Sequence, residues 1–134
     1  MDGLKGVNDA FGHDEGDTLI VSCARVLKTA MGDRGVIGRM GGDEFAVVFF
    51  ADDEEEGTKL QASMERLINE HNEKSEKPYL LSVSFGTFAF PFAKDIRIMD
   101  LLENADKKMY SVKESHRAGR RRGDFIENVK KTEE

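Results

Sequence analysis

Apolar positions recur at helical spacing early in the chain. Leu19, Ile20, Cys23, Val26, Leu27 and Ala30 fall on one i, i+3, i+4, i+7 stripe, which predicts an amphipathic helix over residues 16–30 capped by Asp17 or Thr18. The cluster Met31-Gly32-Asp33-Arg34-Gly35 breaks it. Two short apolar runs, residues 36–40 and 44–50, then flank Gly41-Gly42-Asp43 and predict a β-hairpin. The second run, Phe45-Ala46-Val47-Val48-Phe49-Phe50, is apolar on both faces and predicts an inner strand. The acidic run 52–56 reads as a solvated loop. Leu60, Met64, Leu67, Ile68 and His71 mark a second helix. Residues 73–78 form a polar connection, and 79–90 read as a strand in which Leu81, Val83 and Phe85 alternate with Ser82, Ser84 and Gly86. A third helix is predicted over 100–115, with Leu101, Leu102, Ala105, Met109 and Val112 inward. A short strand near 124–128 and a frayed end, 129–134, complete the pattern. Helix, hairpin, helix, strand, helix is the order of an α+β fold, a mostly antiparallel central sheet flanked by helices.

Composition narrows this picture without adding chemistry. The chain has 134 residues, 39% of them hydrophobic, enough for one core. It has no apolar run of membrane-spanning length and no apolar signal region after Met1, so a cytoplasmic, membrane-free domain is expected. The formal net charge of −6 argues against general nucleic-acid coating, and Arg120-Arg121-Arg122 lacks the interleaved aromatics of a nucleic-acid surface. The single cysteine, Cys23, cannot form an internal disulfide and reads as a small buried apolar residue.

The candidate chemistry sits in Arg39-Met40-Gly41-Gly42-Asp43-Glu44-Phe45. Two glycines let backbone approach a bulky anion, and two adjacent carboxylates can hold a divalent cation against phosphates. An ordinary hairpin turn is the plain alternative. The segment resembles the signature of the GGDEF family, the bacterial diguanylate cyclases. Three further segments resemble the family in order: residues 2–17, Ser82-Val83-Ser84-Phe85-Gly86, and residues 105–117. The resemblance implies a nucleotidyl-cyclase or palm-like fold spanning residues 1–128. It also implies condensation of two GTP into cyclic di-GMP and pyrophosphate, with Mg²⁺ or Mn²⁺ as cofactor.

By the same resemblance, Asn8, His13 and Asp17 bind the nucleotide, Asn8 and Asp17 reading guanine through an amide and a carboxylate. Gly41 and Gly42 pass beneath the phosphates. Asp43 is a metal ligand, joined by the Met1 carbonyl, and Glu44 accepts the proton of the attacking hydroxyl. Lys113 and Arg117, four apart on one helical face, contact phosphate, with Lys5 assisting. Because each domain holds one GTP, catalysis implies a transient homodimer, usually driven by an upstream sensor domain. Relative to the family pattern, the fold is expected to lack its first helix and first strand. A first metal-binding aspartate would lie one position before Met1, so a weakened cation site and little turnover are expected. The positions of the family's Arg-x-x-Asp inhibition site hold Gly32 and Gly35, so that site is expected to be absent. The competing reading is a GGDEF-like module that binds GTP or a partner without turnover.

Overall fold

The computed structural model describes residues 1–91 and 95–121, the last six as backbone alone. Its elements are α1 (Leu4–Phe11), α2 (His13–Met31), β1 (Gly35–Gly41), β2 (Glu44–Phe49), α3 (Glu55–Lys74) and α4 (Ile98–Arg121). Four helices and an antiparallel β1–β2 pair among the described residues make the fold α+β, as the pattern predicts. The predicted strand near 124–128 and the frayed end lie outside the described residues.

The predicted elements do not include α1, although Leu4, Val7, Ala10 and Phe11 fall at helical spacing; Val7 is buried and Phe11 sets its ring 5.7 Å from that of Tyr79. Gly12, at φ 92°, closes α1 and lets α2 begin at His13, three residues before the predicted start. Asp17 and Thr18 therefore lie inside α2 rather than at its cap, and the Thr18 hydroxyl donates back to the Asp14 carbonyl. Asp14 and Glu15 occupy the first turn, where negative charge complements the helix dipole.

Helix α2 is the central element, contacting α1, α3 and β1. It buries Leu19, Cys23, Val26, Leu27 and Met31 against Leu60, Met64 and Ile68 of α3. Each such side chain removed from water contributes roughly 1.5–3 kcal/mol. Burial pushes the Cys23 thiol up to about 11, which keeps it protonated and makes it a core residue. The acidic run is not a passive loop. Asp53 Oδ1 accepts from the main-chain nitrogens of Glu55 and Glu56 at 2.9 and 3.1 Å, capping α3.

Two strand expectations are corrected. Strand β2 pairs with β1 alone among the described residues, and Phe50 just beyond it is 86% exposed, so it is not an inner strand there. Residues 79–90 show an isolated bridge at Tyr79 and no regular ladder. The Asn72 side chain substitutes for a neighbouring strand: its amide donates to the Leu81 carbonyl at 2.9 Å, and its oxygen accepts from the Leu81 nitrogen at 2.8 Å. The segment is thus extended and satisfied without a ladder. Helix α4 starts earlier than predicted and runs on to Arg121, and Val112 is exposed rather than inward.

The floor of the α1–α2 corner is polar. Tyr79, 4% exposed, donates its hydroxyl to Glu15 Oε2 at 2.5 Å, and Lys77 Nζ donates to Glu15 Oε1 at 2.8 Å. Lys77 first and Tyr79 second hold the Glu15 carboxyl below its ordinary value of 4.5. A carboxyl depressed in the folded state stabilises the fold above its unfolded pKa and loses that contribution as pH falls through the folded value. Native protein is therefore expected to lose stability as pH drops below about 4.5 more steeply than Glu15→Gln. Urea unfolding at a series of pH values checks this. Parallel acid limbs for the two proteins contradict it.

Candidate active site

The hairpin tip is built for a tight reversal. Strands β1 and β2 are in register from Gly35↔Phe49 to Arg39↔Phe45, then slip by a bulge before Gly41↔Glu44. Gly42 sits at φ 43°, a left-handed conformation that costs glycine nothing. Arg39 closes the turn, its Nε and Nη2 donating to the Gly42 carbonyl at 3.1 and 2.9 Å. The turn leaves Gly41, Gly42 and Glu44 exposed and Asp43 half-buried.

Asp43 is fixed from two further directions. The Met1 main-chain nitrogen donates to the Asp43 carbonyl at 2.8 Å, joining the tip to the first two residues. Lys113 of α4 brings Nζ to 3.3 Å from Asp43 Oδ2, with side-chain exposures of 18% and 33%. The lysine reaches the tip because α4 lies directly on Gly86. A Cβ there would overlap the main chain of Ala105 and Met109. Glycine allows the helix to settle onto the extended segment, and one turn beyond Met109 comes Lys113.

The anchor of this corner lies outside the predicted site residues. Asp2 is 1% exposed and its carboxylate accepts from the hydroxyls of Ser82 (3.0 Å) and Ser84 (2.9 Å), while its own nitrogen donates to the Ser82 carbonyl at 2.8 Å. The serines alternate with Leu81, Val83 and Phe85, and that spacing together with an early aspartate is the signal the sequence held.

The other predicted residues form a second group. Asn8 of α1 is half-buried and its side chain lies over Gly16 in the first turns of α2, where a Cβ would overlap Asn8 Oδ1. His13 and Asp17 are exposed on α2, and Lys5 is exposed on α1. Among the described residues, the side chains of Asn8, His13, Asp17 and Lys5 make no hydrogen bond or ion pair and none touches Asp43. Arg117 lies one turn past Lys113 on the α4 backbone, and its side chain is outside the described residues. The structure therefore joins Met1, Asp43 and Lys113 directly, and sets Asn8 against the turn of α2 that leads to Asp17.

No group of three or more His, Cys, Asp or Glu side chains converges among the described residues. The oxygens at the tip, the Asp43 carboxylate and the adjacent Met1 main chain, suit a cation of the Mg²⁺ kind. Such an ion keeps several waters and is held by one or two protein carboxylates plus substrate phosphates. No helix among the described residues is long and apolar enough to cross a membrane.

Comparison with known proteins agrees with this motif order. Residues 1–119 match the family model described as the diguanylate cyclase GGDEF domain. The chain is 32% identical over 119 residues to the bifunctional diguanylate cyclase/cyclic di-GMP phosphodiesterase MucR of Pseudomonas aeruginosa, covering 89% of this chain and 17% of that protein. It is 32% identical over 123 residues to the probable diguanylate cyclase DgcC of Escherichia coli, covering 91% and 32%. A diguanylate cyclase of Vibrio cholerae is 31% identical over 119 residues, covering 87% and 36%. The chain thus spans between about a sixth and about a third of the length of these curated relatives.

The Asn8–Gly16 contact generates a contrast between two helical glycines. Replacing glycine by alanine in a helix ordinarily stabilises by up to about 1 kcal/mol. Gly6 has open space around it, so Gly6→Ala should raise the melting temperature. Gly16→Ala must push aside the Asn8 amide, the flexible end of a half-buried side chain, which takes back part of the propensity gain. It should therefore raise the melting temperature less than Gly6→Ala does. Thermal unfolding of both variants decides the matter, and a Gly16→Ala stabilised as much as Gly6→Ala would refute the packing argument.

Proposed function

This chain belongs to the GGDEF family, and from that premise we propose that it is the catalytic domain of a diguanylate cyclase. In this reading it joins two GTP molecules into cyclic di-GMP and releases pyrophosphate in the bacterial cytoplasm. The family generally uses a divalent metal, and Mg²⁺ or Mn²⁺ is the cation we assign to the Asp43 side of the site. The reading is supported above all by one arrangement: an acid, Asp43, held at a glycine turn with a lysine of the last helix against it.

Each residue then has a task set by its place. Asn8 and Asp17 take the guanine edge, with His13 and Lys5 beside them. The exposed main chain of Gly41 and Gly42 lies beneath the phosphates, which no side chain there obstructs. Lys113 and Arg117 supply positive charge to the triphosphate and to the charge that builds as pyrophosphate leaves. Glu44, solvent-exposed beside Asp43, accepts the proton of the attacking 3′-hydroxyl. The new bond joins that 3′-oxygen to the α-phosphorus of the other nucleotide, and the bond to the pyrophosphate oxygen breaks. A divalent cation bound through Asp43 and the Met1 carbonyl would draw electron density from the α-phosphate. Because one domain holds one nucleotide, two copies must face each other transiently. An upstream sensor domain in the whole protein would control that encounter.

A second reading is a module that binds GTP without turnover. It draws on the lack of a three-carboxylate cluster among the described residues and on the engagement of Asp43 by Lys113. Incubation with GTP and Mg²⁺, followed by nucleotide separation, distinguishes the two. The cyclase reading expects cyclic di-GMP from the native chain, with Glu44→Gln reducing the rate by roughly 10²–10⁴-fold while GTP binding persists. Asp43→Asn should reduce it as well. GTP binding with no product from the native chain establishes the binding module instead.

A further inference from the structure

Lys113 and Asp43 have been assigned to opposite charges of one ligand, the lysine to phosphate and the aspartate to a cation. Yet they touch each other. Nζ and Oδ2 are 3.3 Å apart, and both side chains are largely withdrawn from water. The contact does not come from two mobile surface chains meeting by chance. The Asp43 end is held by the Met1–Asp43 main-chain bond and by Arg39 on the neighbouring Gly42 carbonyl. The Lys113 end is held by α4 resting on Gly86.

We propose that Lys113 is the internal counter-ion of Asp43, occupying that carboxylate until nucleotide phosphate draws the lysine away. The inference rests on the reading above and adds an order of events to it. A divalent cation approaching Asp43 with no nucleotide present meets an ammonium already seated there. It must displace the lysine and break that ion pair. When a triphosphate arrives, the lysine gains a stronger anionic partner and the carboxylate is freed in the same step. Cation and nucleotide then strengthen each other's binding through this one pair, and the coupling is reciprocal by thermodynamic necessity. The Asp43 carboxylate accordingly stays paired when unliganded, and a free cation alone is held poorly.

The test uses Mn²⁺ alone, titrated into the full chain without nucleotide and followed by the electron paramagnetic resonance signal of the free ion. Lys113→Met should bind Mn²⁺ about fivefold more tightly than the native chain, the upper range for a partly exposed pair. Lys108, whose ammonium lies 5.2 Å over the Phe88 ring, is the charge control, and Lys108→Met should bind Mn²⁺ as the native chain does. Adding Asp43→Asn to Lys113→Met should cancel the gain. If Lys113→Met fails to fold by circular dichroism, Lys113→Gln removes the charge with a polar replacement and must show the same gain. Mn²⁺ binding no tighter in the lysine variants, or a gain that survives Asp43→Asn, overturns the proposal. A chain that binds no GTP would sink the cyclase reading and the release by phosphate, and leave the Asp43–Lys113 pairing intact, because no nucleotide enters the titration.

Discussion

A carboxylate with two serine hydroxyls against it, buried beneath the hairpin tip, holds the functional end of this molecule together. Asp2 accepts from Ser82 and Ser84, and its nitrogen donates to the Ser82 carbonyl. Met1, one residue before, is thereby placed to bond the Asp43 carbonyl. Three regions remote in sequence meet in this short chain of bonds. Removing the acid would take a charged acceptor from the buried Ser84 hydroxyl and the half-buried Ser82 hydroxyl, and a hydrogen bond to a charged group is worth about 1.5–3 kcal/mol. A polar network of this kind specifies one arrangement more sharply than an apolar contact of equal size, because it tolerates no slippage.

Absent side chains matter as much as present ones. At Gly16 the missing Cβ makes room for Asn8, and at Gly86 it makes room for the backbone of α4. These two approaches decide which polar groups face one another. Without the first, the Asn8 side chain could not lie over the start of α2. Without the second, Lys113 would stand off from Asp43. Helix propensity alone would put alanine at Gly16, where a Cβ would overlap the Asn8 side chain.

Charge follows the same architecture. The Glu15, Lys77 and Tyr79 group pins the residues after α3 to the first turn of α2. Asp53 caps α3 within an acidic run that looked like plain solvated surface. The Asp43–Lys113 pair is of another kind, since it joins two groups whose proposed work is to hold something else.

Much of the fold was written in the local pattern. The stripes of α2 and α3 and the glycine turn between two apolar runs could be read because each depends on neighbours three, four or two positions away. So could the motif Arg39 to Phe45, and with it the family. Helix α1 escaped because eight residues are too few for their helical spacing to stand out, and a helix that short is stabilised by what it packs on, here α2 and Tyr79. The strand expected over 79–90 escaped for the converse reason. Its alternation was real, but the Asn72 side chain satisfies Leu81 where a strand neighbour would have done so. The sequence by itself determined the motif and, through it, the family, since residue types and their order are local. Only the tertiary structure decided that Asp2 anchors the corner and that Lys113 rests on Asp43, because those contacts span 70 to 82 residues of chain and exist only once the helices have packed.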